Sequence, residues 1–496
     1  MASRVLAIRV WIDWDFNGVY TNETAYLLSA DGDMRLAPFG AGLAGSSGIV
    51  STATITLRNV NGRFSPLRTD GALYAYLQNG RGYHAPCYIE VSIDGGVTYS
   101  RVFTGVLKLP HENTLTPGDA ATVTFDARSI EENYLQRRVS LTQAQFSALH
   151  DAGGTEADAI AAFLDAAGVP SGQRSIDAGL FVMPWSWLDD ESAIEECWSL
   201  AASCGGRFYG DPDGRLVYAN MARWQTAPRS TTVQYTFSRD TLLNFALRLD
   251  DTDLHNVVTV EAAPRTTGGL DVIWEPETPP VLSPGESKLV TARYNAPAYS
   301  VSGVSYRARD YAGNDRTSAV SVSATYYAQR TDLTITNSGT LQVTVQPLRI
   351  LGVPVVGGPE IEERRTSAAN GTNAAYWSGR GERSLSIRGN AYVQSQAQAA
   401  TLAQFLLDRC EYPRLIAYAK TPGVPGLRLG DRVQITDPVT MSATFTGYVI
   451  SVRWSYAVGV FDQDIEIIQS AQLYPHDGNY FVIGTDVASG TRRLFY

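Results

Sequence analysis

The chain has 496 residues, enough at ordinary domain size for roughly three or four separate cores. Hydrophobic residues make up 44% and charged residues 18%, with 26 Tyr, 16 Phe and 9 Trp, a composition that excludes intrinsic disorder. Lys and Arg number 40 against 50 Asp and Glu, a net charge of −10 that speaks against broad electrostatic binding to a nucleic-acid backbone or an anionic membrane.

No stretch approaches ~18 consecutive apolar residues, and Met1 to Tyr20 interleaves Arg and Asp with apolar side chains, so neither a signal peptide nor a membrane span is expected. The four cysteines, Cys87, Cys197, Cys204 and Cys410, are too scattered for a disulfide scaffold and lack zinc spacing, and read as reduced, mostly buried thiols. Five histidines, His84, His111, His150, His255 and His476, include no HExxH-type pair.

Alternating, β-branched stretches predict strands over Val5 to Trp14, Thr52 to Asn59, Cys87 to Ile93, Val102 to Leu109 and Ala121 to Ala127, divided by Gly, Asn and Pro turns. Strands of this length must close or stack to hide their edges, so residues 1–130 are expected to form an antiparallel barrel or sandwich. A small α+β module follows over 131–228. Thr155 caps a helix carrying Ala159, Ile160, Phe163 and Leu164; a second helix spans Asp190 to Gly205; and Asp211-Pro-Asp-Gly214 turns a hairpin. Strands return from Thr231 to Val260, and the Thr-, Ser- and Val-rich run from Ser287 to Val355 reads as an inserted sandwich of immunoglobulin-like size. Gly357 to Gly381 has little apolar periodicity and is expected to be a mobile surface loop, after which Gln394 to Cys410 reads as a helix with Leu402, Phe405 and Leu406 inward.

One internal echo stands out. A strand from Cys87, a short turn and Phe103-Thr-Gly105 opening a second strand have the plan of Asp431 to Thr436, a turn and Phe445-Thr-Gly447. Each Gly stands where a strand bends or meets another backbone closely, which suggests two related barrels in one chain.

The strings Trp11-Ile-Asp-Trp-Asp-Phe-Asn-Gly18 and Ala53-Thr-Ile-Thr-Leu-Arg-Asn-Val-Asn-Gly-Arg-Phe-Ser-Pro66, followed by Phe103-Thr-Gly105, resemble the opening of minor tail proteins of long-tailed bacteriophages, the tail-tip hub class. The likeness continues through Gly206-Arg-Phe-Tyr-Gly-Asp-Pro-Asp-Gly-Arg-Leu-Val-Tyr218, His255-Asn-Val-Val-Thr-Val260, Leu348-Arg-Ile-Leu-Gly-Val-Pro354, Ala399 to Arg414 and Tyr480-Phe-Val-Ile-Gly484. It implies a mainly β chain similar to the baseplate hub of contractile tails. Two tail-tube-like antiparallel β-barrels are then expected, one over 1–130 and a discontinuous one over 229–265 and 382–472. The α+β module of 131–228 and an immunoglobulin-like sandwich plus loop, 266–381, are insertions, and 473–496 is a C-terminal tail. The helix from Gln394 would pack across the second barrel.

By the same resemblance, three chains close a ring, so that two barrels times three chains match a sixfold tube at the virion's tail tip. The implied partners are two further copies, a distal tail protein, the tape-measure protein and receptor-binding or fibre proteins, with DNA only passing through the lumen after assembly in the host cytoplasm. An acidic wall fits that passage. A tail-borne cell-wall hydrolase and a glycan-binding adhesin, using the inserted sandwich, are the alternatives.

No residue qualifies as catalytic, cofactor-binding or metal-binding. Gly40-Ala-Gly-Leu-Ala-Gly45 matches GxGxxG but precedes a strand, not a helix, and reads as a loop. Asp13, Asp15 and Asn17 have the alternating oxygens of a calcium loop, yet Thr24 stands where the closing Glu belongs, so a polar turn and a cation site both remain open. No GxSxG occurs, and the pairs Glu195-Glu196 and Glu362-Glu363 read as solvated faces. Tyr326-Tyr327, Tyr376-Trp377 and Phe495-Tyr496 are candidate partner anchors.

Overall fold

The computed structural model describes residues 4–36, 48–71, 73–74, 77, 84–113, 121–250, 254–367, 379–411, 414–436, 444–470, 480–481 and 493–494. The chain is mainly β, as expected. Ten strands form its frame: β1 (Leu27–Arg35), β2 (Thr52–Arg58), β3 (Pro86–Ser92), β4 (Ser100–Asn113), β5 (Thr122–Ser129), β6 (Asn244–Asp250), β7 (Arg414–Thr421), β8 (Arg432–Thr436), β9 (Thr444–Ala457) and β10 (Val460–Gln469).

The first five lie in the order β1-β2-β5-β4-β3 and the last five in the order β6-β7-β10-β9-β8. Every ladder within both sets is antiparallel, so one five-strand arrangement is built twice in the same chain order. In the second unit the β6–β7 connection is opened by residues 251–413, which hold the sandwich and a helix. Ladders join both units into one 13-stranded sheet. Alternation sends Cys87, Ile89 and Val91 from β3, Val123, Phe125 and Ala127 from β5, and Ile465 and Ile467 from β10 into one shared core.

Three helices of the α+β module are α1 (Gln143–Asp151), α2 (Glu156–Ala166) and α3 (Ala193–Ser203). Thr142 and Thr155 each form a reciprocal capping box, with Gln145 and Asp158, and Ser192 caps α3. The sequence pattern had no signal for α1, which buries only Phe146 and Leu149. Helix α4 (Gln396–Cys410), capped by Ser395, buries Leu402, Phe405 and Leu406 in the shared core, each worth about 1.5–3 kcal/mol. It lies on a separate sheet of Ile361–Thr366, Val257–Ala262 and Ser384–Ile387. The strand Ile361–Thr366 falls where a loop was expected. Its Glu362, Glu363, Arg364 and Arg365 hide the strand from an apolar count, because they sit on an edge and make ion pairs there.

In the insertion, the long strand Val343–Gly357 pairs with Ala298–Asp310 and Asp271–Trp274, and a second sheet joins Ser287–Arg293, Arg330–Asn337 and Val320–Tyr326. Leu333, Ile335, Val345 and Ile350 form a core of their own. This sandwich is docked on the α+β module: Ala328 N donates to Leu141 O at 3.1 Å, Trp187 Nε1 to Gln329 at 3.1 Å, and Arg330 binds Ser140 and Asp189.

Candidate functional site

The duplicated Phe-Thr-Gly strings occupy one structural position. In the first unit Cys87, Tyr88 and Ile89 face Gly105, Thr104 and Phe103; in the second Val433, Gln434 and Ile435 face Gly447, Thr446 and Phe445. Both glycines are fixed by backbone crowding. A Cβ on Gly105 would come within 2.0 Å of Arg128 O, and one on Gly447 within 2.4 Å of Ile468 O. Two residues on, both long strands shift register, β4 against β5 between Leu107 and Pro110 and β9 against β10 between Val449 and Ser451. The hydrogen bonds agree as well: Leu107 N donates to Ala85 O and Val449 N to Asp431 O, while His84 N donates to Leu107 O and Gly430 N to Val449 O.

Beyond its bulge β9 meets the first unit. Ser451, Val452, Arg453 and Trp454 face Arg35, Met34, Asp33 and Gly32 of β1, an antiparallel seam that makes two units one sheet. On the core side Trp454 is fully buried over Gly32, where a Cβ would stand 2.5 Å from the indole ring. On the opposite side Asp33 binds Arg35 at 2.8 Å and Arg453 at 3.2 Å. Burial pushes the Asp33 carboxyl up, but the two guanidinium groups outweigh it and hold the carboxyl below its ordinary range.

Each unit also leaves an edge without a strand partner among the described residues. Beyond Leu107, β4 pairs only with β5, and β6 pairs only with β7. The edge strand β6 carries Leu247 and Leu249 exposed, with Leu243 exposed just before it, and β4 carries Leu109 exposed. A row of exposed apolar residues on an unpaired edge is a template for another chain.

Among solved structures, the chain is similar to a tail protein from Neisseria meningitidis MC58, at 11% identity and a TM-score of 0.48 over 95% of this chain and 98% of that one. It is similar to the 43 kDa tail protein of prophage MuSo2 from Shewanella oneidensis, at 13% identity and a TM-score of 0.47 over 94% of this chain and 99% of that one. A component of the E. coli type VI secretion system aligns at 9% identity and a TM-score of 0.40, over 95% of this chain and 78% of that one. No protein-family model and no curated protein sequence matches the chain.

The remaining candidates separate. Asp13 is buried and spends its carboxylate on the backbone N–H groups of Asn17 and Gly18, while Asn17 Oδ1 accepts from Val19 N, the arrangement of a tight polar turn. Among the described residues no group of three or more His, Cys, Asp or Glu is placed to hold a metal ion. Glu195 is exposed, Glu196 accepts from Tyr392 OH, and Glu362 and Glu363 pair with Arg388 and Arg365, so neither acid pair acts together. All four thiols are buried, and burial pushes Cys87 up to about 12. The Asp211–Gly214 turn docks on β4, where Thr104 Oγ1 donates to Pro212 O at 2.6 Å. Tyr327 lies under the Arg330 guanidinium. Gly40 to Gly45, Tyr376-Trp377 and Phe495-Tyr496 lie outside the described residues.

Sequence reasoning missed β1, half of the seam, and the buried acids Glu23 and Glu131. Glu23 takes hydrogen bonds from Trp14 Nε1 and Arg63; Glu131 accepts from Gly210 N, and burial raises its carboxyl. An acid inside a strand-rich, turn-rich stretch has no periodic signature, so only its packing reveals it.

Proposed function

We propose that this chain is a non-enzymatic hub protein at the tail tip of a long-tailed bacteriophage, with three copies closing a ring that joins a sixfold tube to a threefold tip and gates the DNA channel. The observation that supports this reading is the duplicated five-strand unit, set side by side across the β9–β1 seam. A chain with two equivalent units and an open edge at either end extends head to tail, and three such chains supply six units. The distal tail protein, the tape-measure protein and receptor-binding or fibre proteins are the partners the sequence resemblance implies.

The ring reading also gives the charged outer face a place. On the sheet face away from the core Asp31, Asp33, Asp126, Asp462, Asp464 and Glu466 stand among Arg35, Arg128, Arg248, Lys420 and Arg453. A wall on which acids and bases are interspersed offers no continuous basic surface to hold a passing polyanion. Copy number in assembled tails, measured by imaging with this chain labelled, tests the proposal: three copies around a common bore are expected, and six would overturn it.

A further inference from the structure

Resting on the ring reading, we infer that copies join through a β4–β6 ladder that repeats the β9–β1 seam in the same register, with Leu249 of one copy set against Pro110 of the next. The argument is positional. β4 is the counterpart of β9 through the matched glycines and bulges, and β6 is the counterpart of β1 through the matched pairings with β7 and β2. Transferring the seam places Leu109, Pro110, His111 and Glu112 opposite Asp250, Leu249, Arg248 and Leu247.

Exposure at paired positions carries the inference. Met34, covered at the seam, is 3% exposed, whereas Leu249 at the same place in the second unit is 64% exposed. Ser451 is 4% exposed in the seam and its counterpart Leu109 is 51% exposed. Apolar side chains thus stand bare where the equivalent positions are buried, the pattern of a missing neighbour of the same shape. Beside Pro110 a narrow apolar crevice lined by Trp14, Leu73, Leu77, Leu107 and Phe125 extends the apolar face that Leu249 would cover.

The copy-to-copy ladder is weaker than the seam. Leu36 N donates to Ile450 O, so by alternation the N–H of Val452 faces β1; Pro110, at the Val452 position, has none to give. His111 and Arg248 replace the Arg453–Asp33 ion pair. A proline on that edge also blunts indiscriminate pairing while apolar contact selects the right partner.

Cross-linking of the full chain tests the ladder. His111 and Arg248 are exposed and would form a non-hydrogen-bonded pair, whose Cβ atoms stand roughly 4.5–5.5 Å apart, within reach of a disulfide. The native thiols are buried and do not compete. In concentrated solution H111C/R248C is expected to oxidise to species ending at three linked copies, and H111C/L249C, which points the second thiol to the other face, is expected to give none. Leu249→Glu should abolish assembly with the melting temperature unchanged. A trimer by light scattering in which H111C/R248C does not link overturns the ladder and leaves the ring. Linked species that run past three copies keep the ladder and overturn the ring. A chain that stays monomeric and unlinked at high concentration overturns the ladder as a self-assembling edge.

Discussion

The two five-strand units share a backbone and few side chains, and the contrast shows what the duplication preserves. Phe125 answers to Ile465 and Thr52 to Ile416 across equivalent pairings, so core and face residues have diverged. Gly105 and Gly447 have not, because a carbonyl of the neighbouring strand lies against each. Side chains in a core can be exchanged at constant volume, whereas a Cβ cannot be fitted against a fixed backbone oxygen. Replacing either glycine is therefore the harshest way to break the equivalence. Gly105→Val and Gly447→Val should each cost at least about 3 kcal/mol, a large part of an ordinary folding stability of about 5–15 kcal/mol. Soluble yield and urea unfolding measure this, and one variant folding normally while the other fails would refute the structural equivalence.

The seam and its open counterpart give a second, smaller contrast. Trp454 is fully buried across the seam, while Glu112, its counterpart, is half-buried and accepts a hydrogen bond from Asn59 at 2.7 Å. Trp454→Ala removes packing from both units at once and should cost about 3–5 kcal/mol; Glu112→Ala should cost about 1 kcal/mol. Denaturant midpoints decide between them. Equal losses would mean that the seam contributes no more than an edge does.

Much of this frame was legible in the sequence. The Phe-Thr-Gly repeat located β4 and β9 because its constraint is local: a small residue where two backbones touch. Helices α2 and α3 announced themselves through their apolar stripes, α2 also through its Thr155 cap, whereas the Ser192 cap of α3 emerged only from the fold. What stayed hidden is the joint between the units. The middle of β1 reads Ala30-Asp-Gly-Asp-Met34, whose core-facing members are mostly small because Trp454, distant in sequence, fills the space above Gly32. A strand completed by a partner more than four hundred residues away carries only half of its apolar pattern. The exposed leucines of β6 are the converse: they look like ordinary core residues until the fold shows that nothing in the described chain covers them.

The charge pair on the far side of the seam sets the mildest test. Asp33 sits between Arg35 and Arg453 with 29% of its side chain exposed, so solvent screens the pairs and Asp33→Asn should cost no more than about 1 kcal/mol at neutral pH. The sign follows from the lowered carboxyl. The folded state holds Asp33 ionised more readily than the unfolded chain does, so the contribution is fully present above the ordinary carboxylate range and is lost as pH falls through the folded value. Melting temperatures of parent and variant should therefore differ at neutral pH, converge in strong acid, and draw together in high salt. A gap that persists in acid would assign the loss to packing instead of charge.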